Sequence, residues 1–435
     1  MQATVETQAP ARTQNRISAW LDMIFSQPYL YAFFAVVLLK PRALMDVDAL
    51  LASVLQMESF PLFGTATYAM FTVVLVCYAL RWALGDIQRV NKTLLCILAM
   101  FLYLAGITFV FDGASGYHID WHAGFALMMM IDMGLQREKK SLIRGLTGAF
   151  EFWVYLNVLS FVVFPKSLVP DSLTPAWILD SRVYYYRIIF PALALALVRY
   201  HVCGKEFSLR TVIMVIASLL TIAYQLGGTA LIGVGVWFVL MVWCNRRALP
   251  RYITPLTFTL LAAVLFVGIQ YFDLHNLFAS LITGVLDKRM TLSGRTDIWD
   301  KTMAVVFNNP ITGVGYLPVA FMRQLLGWRS YSHTHNQLLE LLLHGGVIAV
   351  GLYLAAVYSA SKEAISYRRS PAVKSAALLV CAFAIMGIVE IFHNDPIYYA
   401  LFVLLSRADC LQEGKKLPRI SVFKRIRRDL KRKKA

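Results

Sequence analysis

The sequence predicts an all-α, polytopic transmembrane helix bundle of about 12 spans, with one long, partly helical periplasmic loop. Three observations carry this. Of the 435 residues 58% are hydrophobic and only 15% are charged, where a soluble globular domain has about 25%. Mean hydropathy is +0.60. Apolar runs also recur at the roughly 20 residues that a helix needs to cross a bilayer, where the backbone must satisfy its own hydrogen bonds.

Hydropathy places the spans near 24–40, 62–80, 94–111, 119–135, 146–164, 184–200, 211–226, 228–244, 253–272, 338–358, 372–391 and 396–406. The polar start, "MQATVETQAPARTQNRISAW", lacks a signal-peptide core, so the first apolar segment is expected to stay attached as a helix. With the N-terminus inside, the inward loops 81–93, 136–145, 201–210, 245–252 and 359–371 and the tail carry most of the 42 Lys and Arg. That is the bias of the positive-inside rule, and shifting the register by one span inverts it. The expected organisation is a cytoplasmic segment 1–23, spans 1–9 over 24–272, a periplasmic loop 273–336, spans 10–12 over 337–406, and a basic cytoplasmic tail 407–435.

The net charge of +17 reads as membrane electrostatics rather than nucleic-acid binding. The tail "KLPRISVFKRIRRDLKRKK" holds most of the excess, and each basic residue near an anionic lipid surface contributes about 1 kcal/mol. The six cysteines fall in spans or inward segments, away from any external disulfide framework.

The loop 273–336 is too long to be a plain connection, since structureless loops beyond about 15 residues are uncommon in compact proteins. Within it, Ile298, Trp299, Met303 and Val306 fall near one side of a helix over Thr296–Phe307, a pattern suited to lying in the outer interface. Asn309, Pro310, Gly313 and Gly315 then make turns.

Several residues could carry chemistry. Arg295 follows Gly294, which leaves backbone room for a ligand, and a guanidinium forks onto phosphate oxygens; snorkelling to head groups is the other reading. Arg187 lies just inside the outer end of a span, where an Arg normally faces a cavity or partner. Tyr184, Tyr185 and Tyr186 beside it equally suit an aromatic belt. Arg182 is nearer water. His335 opens a span, and histidine is the side chain whose unperturbed pKa lies nearest neutrality, which suits the type to take a proton from a hydroxyl. Asn336 and Thr334 can cap the helix that follows. Glu340 is costly in a span unless it faces the site, where it could orient His335. His344 suits a packed polar residue beside Gly345 and Gly346, and "FHNDP" at 392–396 an outward turn. His333 and His335 form a His-x-His pair, but zinc usually takes at least three protein ligands and no cysteine is near. Neither a metal nor a cofactor is expected.

The order of these motifs resembles the O-antigen polymerase and O-antigen ligase family of bacterial polysaccharide assembly. The matching residues are Gly294, Arg295 and Trp299; Asn309, Pro310, Gly313 and Gly315; and His335, Asn336, Leu339, Gly345 and Gly346. The resemblance implies a metal-independent, inverting glycosyltransferase of the bacterial inner membrane, active on the periplasmic side. It would take a glycan from undecaprenyl diphosphate and pass it to a glycan or to lipid A-core, alongside other polysaccharide assembly proteins. The implied catalytic residues are Arg295 and His335, and the implied substrate-binding residues are Arg187, Arg182, Asn336, Glu340 and Trp299. One departure stands out: where many members have Ser-Arg, this chain has Gly227-Gly228 in "YQLGGTALIG", so Arg187 is the substitute cation. That departure and the His-x-His-Asn variant favour a polymerase of lipid-linked repeats over a ligase. A lipid-linked oligosaccharide transporter is the reading from another class, but it would show paired structural halves.

The topology makes a testable expectation. Cysteines placed at Ser280 and Ser330, in a background without native cysteines, should react with a membrane-impermeant maleimide in intact spheroplasts. Labelling only after lysis would invert the orientation.

Overall fold

The structure, a computed structural model, describes residues 16–39, 41, 62–87, 89–112, 121–168, 175–180, 185–204, 209–245, 248–272, 274, 294–316, 322–324, 333–392 and 396–412. These are helical throughout their ordered elements. In chain order the helices are α1 Arg16–Phe25, α2 Pro28–Leu38, α3 Leu62–Ala83, α4 Lys92–Asp112, α5 Trp121–Arg137, α6 Lys139–Val163, α7 Tyr186–Cys203 and α8 Leu209–Gln225. They continue as α9 Gly228–Trp243, α10 Pro255–Phe272, α11 Arg295–Asn308, α12 Gln337–Ser366, α13 Pro371–Met386, α14 Pro396–Ser406 and the short α15 Ala408–Leu411.

Among the described residues six helices are long and apolar enough to cross a membrane, and α8, α9, α13 and most of α14 are shorter apolar helices. Each expected span contains a helix, with one change of shape. The span expected at 24–40 holds α2, and α1, bent from it by 71°, lies mostly in the segment 1–23 that was expected to precede the membrane. Pro28 explains the break, because it has no N–H to continue the preceding helix and instead starts α2.

The most buried helices are α5, α13 and α14, whose side chains make up much of the core. Helices α3, α4, α9 and α10 turn apolar side chains such as Val76, Phe109, Phe238 and Val264 outward, which is the inverse of a soluble bundle and the arrangement lipid requires. Charges inside are paired. At the end of the bundle where α4 begins, Arg81 meets Asp22 at 3.0 Å and Glu138 at 2.8 Å, and Arg407 meets Asp132 at 2.6 Å. Asn91 donates to the same Asp132 carboxylate at 2.7 Å. These pairs join α1, α3, α5 and the end of α14, since a lone charge there would be expensive.

Helix α12 is not continuous. Gly346 has φ 58°, ψ −160° and breaks it two turns and a little more from its start. The turn segment after α11 fills the break. Val314 N–H donates to Leu343 O at 2.9 Å and Gly315 N–H to His344 O at 2.9 Å, while Val347 N–H donates to Pro310 O at 2.9 Å. Carbonyls before the kink and an amide after it thus find partners in this strap, as non-helical backbone at membrane depth must. Glycine is demanded at the contact: a Cβ on Gly313 would lie 2.5 Å from Gly345 N, and one on Gly315 would lie 2.7 Å from Thr108 Cα. The other side of the strap is fixed to α4, where Tyr316 N–H donates to Thr108 Oγ1 at 2.8 Å and Tyr103 Oη donates to Thr312 O at 3.1 Å.

Gly346→Ala should be severely destabilising, by more than about 3 kcal/mol, because it combines a left-handed φ with a clash. The new Cβ would lie 2.2 Å from Ile311 O. Gly351→Ala, five residues on in the same helix and facing open space, should be neutral or stabilising by up to about 1 kcal/mol. Thermal unfolding of the purified variants in detergent checks this, and equal melting temperatures would refute the strap.

Candidate active site

The candidate site lies at the end of the bundle where α12 begins, around one carboxylate that the sequence reading did not single out. Glu390 sits in the turn between α13 and α14, with its side chain fully buried. His335 Nδ1 stands 3.7 Å from Glu390 Oε1, and Arg295 Nη2 stands 4.0 Å from Glu390 Oε2. Arg187 reaches the same turn and donates from Nη2 to Ile391 O at 2.9 Å, with its guanidinium 5.9 Å from the Phe392 ring centroid. Four separate parts of the chain thus converge: the start of α7, the start of α11, the entry to α12 and the turn after α13.

Local sequence explains how each side chain is aimed. Gly294 takes φ 86°, a left-handed conformation natural to glycine, and α11 starts immediately at Arg295. His335 itself has φ 55°, uncommon for a residue with a side chain and costing about 1–3 kcal/mol. Neighbours hold it there. Thr334 N–H donates to Glu340 Oε2 at 2.8 Å and Thr334 O accepts from Trp299 Nε1 at 2.9 Å. Asn336 caps α12 by accepting from Leu339 N–H at 2.9 Å, and its amide donates to Ile388 O at 3.0 Å. Gln337 completes the seam, donating from its backbone to Gly387 O at 2.9 Å and accepting from Phe392 N–H at 2.6 Å. The seam brings the Glu390 turn against the His335 corner.

The expected residues divide accordingly. His335, Arg295 and Arg187 face Glu390. Asn336, Glu340 and Trp299 are buried beneath them, and their bonds hold the corner rather than present a group to a ligand. The Glu340 carboxylate accepts from Thr334 N–H and stands 3.2 Å from His344 Nε2, while His344 Nδ1–H donates to Gly315 O at 2.7 Å. Trp299 packs edge-on to Phe266 in a cluster with Ile298, Leu339 and Leu343. The apolar face of α11 therefore turns into the protein, not into an outer lipid interface. Tyr185 and Tyr186 are fully buried, which removes the aromatic-belt reading for both. Arg182 and Tyr184 lie outside the described residues.

Glu390 could have been found. It is an acid within "AIMGIVEIFHNDP", where a carboxylate is costly unless it has a partner or a task. Its distance in sequence from Arg295 and His335 hid the partner.

His333 adds a second imidazole. Its ring centroid lies 3.9 Å from that of His335, and its Nδ1 accepts the His335 backbone N–H at 3.3 Å. Burial pulls His333 down to about 4, helped by His335 and Arg187 and opposed by Glu340 and Glu390. One donor atom each from His333, His335 and Glu390 lies within 4.8 Å of the others, so the three could close on a metal ion.

Residues 212–354, about a third of the chain, match a family model described as O-antigen ligase. Arg295, the strap, His335 and the Gly346 break all fall inside the match, whereas Arg187 and Glu390 fall outside it. No curated protein matches the chain.

The low His333 value makes a signed prediction. An ordinary histidine titrates at about 6.5 and the folded His333 at about 4, so the unfolded chain binds a proton that the folded chain refuses as pH falls from 6.5 towards 4. Stability should be lost across that window. Melting temperatures of the purified protein should fall there, and His333→Gln should flatten the slope. A profile untouched by the substitution would show that His333 titrates normally.

Proposed function

We propose that the chain is a membrane glycosyltransferase that polymerises undecaprenyl-diphosphate-linked oligosaccharide repeats on the periplasmic face of the bacterial inner membrane. The observation that carries the reading is the convergence of two arginines and a carboxylate-backed histidine at one end of the bundle. Its orientation is supported by the other end, where Arg81, Arg89, Lys92, Arg137, Lys139 and Lys140 gather, as cytoplasmic ends do.

The chemistry follows from the residues. With a proton on Nδ1 facing Glu390, His335 keeps a lone pair on Nε2. That nitrogen takes the proton of the acceptor hydroxyl as its oxygen bonds to the anomeric carbon, and a base of this kind contributes about 10²–10⁴-fold. The carbon–oxygen bond to the diphosphate breaks on the opposite face, inverting the centre, and the electron pair leaves with the lipid diphosphate. Arg295 and Arg187 stabilise that charge from fixed positions, and loss of one such electrostatic contact typically costs about 10²–10³-fold in rate. Because catalytic hydrogen bonds are often long before substrate binds, 3.7 Å between His335 and Glu390 suits a contact that tightens on loading.

Two further readings have specific support. The family match favours a ligase that transfers the finished polymer to lipid A-core. The donor cluster of His333, His335 and Glu390 favours a metal. One assay separates all three: purified lipid-linked repeats in liposomes containing the enzyme, with and without a lipid A-core acceptor and with and without EDTA. The polymerase reading expects longer lipid-linked glycans without the core acceptor. It also expects His335→Ala to lower the rate by roughly a hundredfold or more, His333→Ala to have far less effect, and EDTA to have none. Comparable losses from both variants together with chelator sensitivity would replace the base by a metal. Product only in the presence of core acceptor would make the enzyme a ligase. Normal activity of His335→Ala would leave this histidine a structural corner.

A further inference from the structure

The end of the bundle opposite the His335 site contains a second, chemically different cavity. It is about 410 Å³ and lies between the start of α4, the late turns of α12 and the segment joining α14 to α15. Arg89, Lys92, Lys362 and Arg407 and the acids Glu363 and Asp409 are among its walls, a net positive lining. Not all of this charge is available to a ligand. Arg407 Nε donates to Asp132 Oδ1 at 2.6 Å, and Arg89 pairs with Asp409 at 3.6 Å. The amines of Lys92 and Lys362 remain, Lys362 with its Nζ 6.0 Å from the Tyr358 ring centroid. Helix α4 also begins here: Asn91 Oδ1 accepts from Thr93 N–H at 3.1 Å and Leu94 N–H at 3.2 Å. The positive end of its dipole therefore adds to the field at the cavity.

A second cavity, of about 580 Å³, shares Val90 and Asn91 with the first. Its walls are almost entirely apolar, with Phe71, Leu75, Trp82, Leu95 and Leu98 from α3 and α4. Seen together, a basic head chamber and an apolar groove meet at the N-terminus of one helix. We propose that this pair of cavities is a binding site for an anionic phospholipid, the phosphate held by Lys92 and Lys362 and one acyl chain lying in the α3–α4 groove. A free phosphate ion would satisfy the lysines but leave the groove unexplained. A lipid fills both, and basic pockets between membrane helices bind such head groups. The site is separate from the transfer chemistry and stands whether the enzyme is a polymerase or a ligase.

The experiment is native mass spectrometry of the full-length chain in detergent, titrated with phosphatidylglycerol or with phosphatidylcholine of the same acyl chains. Phosphatidylglycerol should bind saturably and more tightly than phosphatidylcholine. Lys92→Gln with Lys362→Gln should weaken it about thirtyfold, the effect of two basic side chains at a lipid surface. A control double variant, Lys139→Gln with Lys140→Gln, removes the same charge from the same end but outside the cavity, and should change binding little. Glycerol 3-phosphate should not compete. Equal affinity for the two lipids would overturn the site, as would equal weakening by the two double variants, which would assign the attraction to general charge. Full competition by glycerol 3-phosphate would make it an ion site rather than a lipid site.

Discussion

A carboxylate buried without solvent inside the end of a membrane bundle must be met by positive charge, and Glu390 is met from three directions. Arg295 arrives from α11, His335 from the corner before α12, and the field of Arg187 from the start of α7. Removing any one leaves the others around a charge that is costly to hold in such surroundings. The same arrangement keeps cations gathered in the absence of substrate. Glu390 neutralises only part of them, so the cluster keeps a net positive charge.

The delivery of these groups is a backbone problem before it is a side-chain problem. Gly294 and His335 both occupy left-handed conformations, one permitted by glycine and the other imposed by its neighbours. Trp299, Glu340 and Asn336 serve that imposition: they fasten Thr334, the cap and the Glu390 turn, so the histidine between them has little freedom. Strain of this kind persists only where surrounding structure overdetermines it. Here the overdetermining contacts come from α11, α12 and the turn before α14.

Much of this was legible in the sequence. Hydropathy gave the helices because lipid allows few alternatives, and membrane cost marked Arg187 and Glu340 as residues needing partners. The motif order singled out Arg295 and His335, which the fold brings to one carboxylate. The break in the first apolar segment was missed because Pro28 stands near its start, where proline is also a good first residue of a helix. The bonds that Trp299 and Glu340 make were not legible for a common reason. Whether a buried polar atom faces a ligand or a backbone amide depends on where the chain comes back, and periodicity does not encode that. Glu390 was passed over because its partners are separated from it by some 55 to 95 residues.

The strap in the break of α12 has a consequence for motion. A loop that is hydrogen-bonded into a helix kink on one side and to α4 on the other is poorly suited to act as a gate. Lifting it would expose carbonyls at Leu343 and His344 and amides at Val314, Gly315 and Val347 together, each costing several kcal/mol in an apolar setting. Movements on the timescale of turnover are more cheaply made by elements that leave these bonds intact. The strap is thus a fixed floor of the bundle, and whatever moves in this protein must move around it.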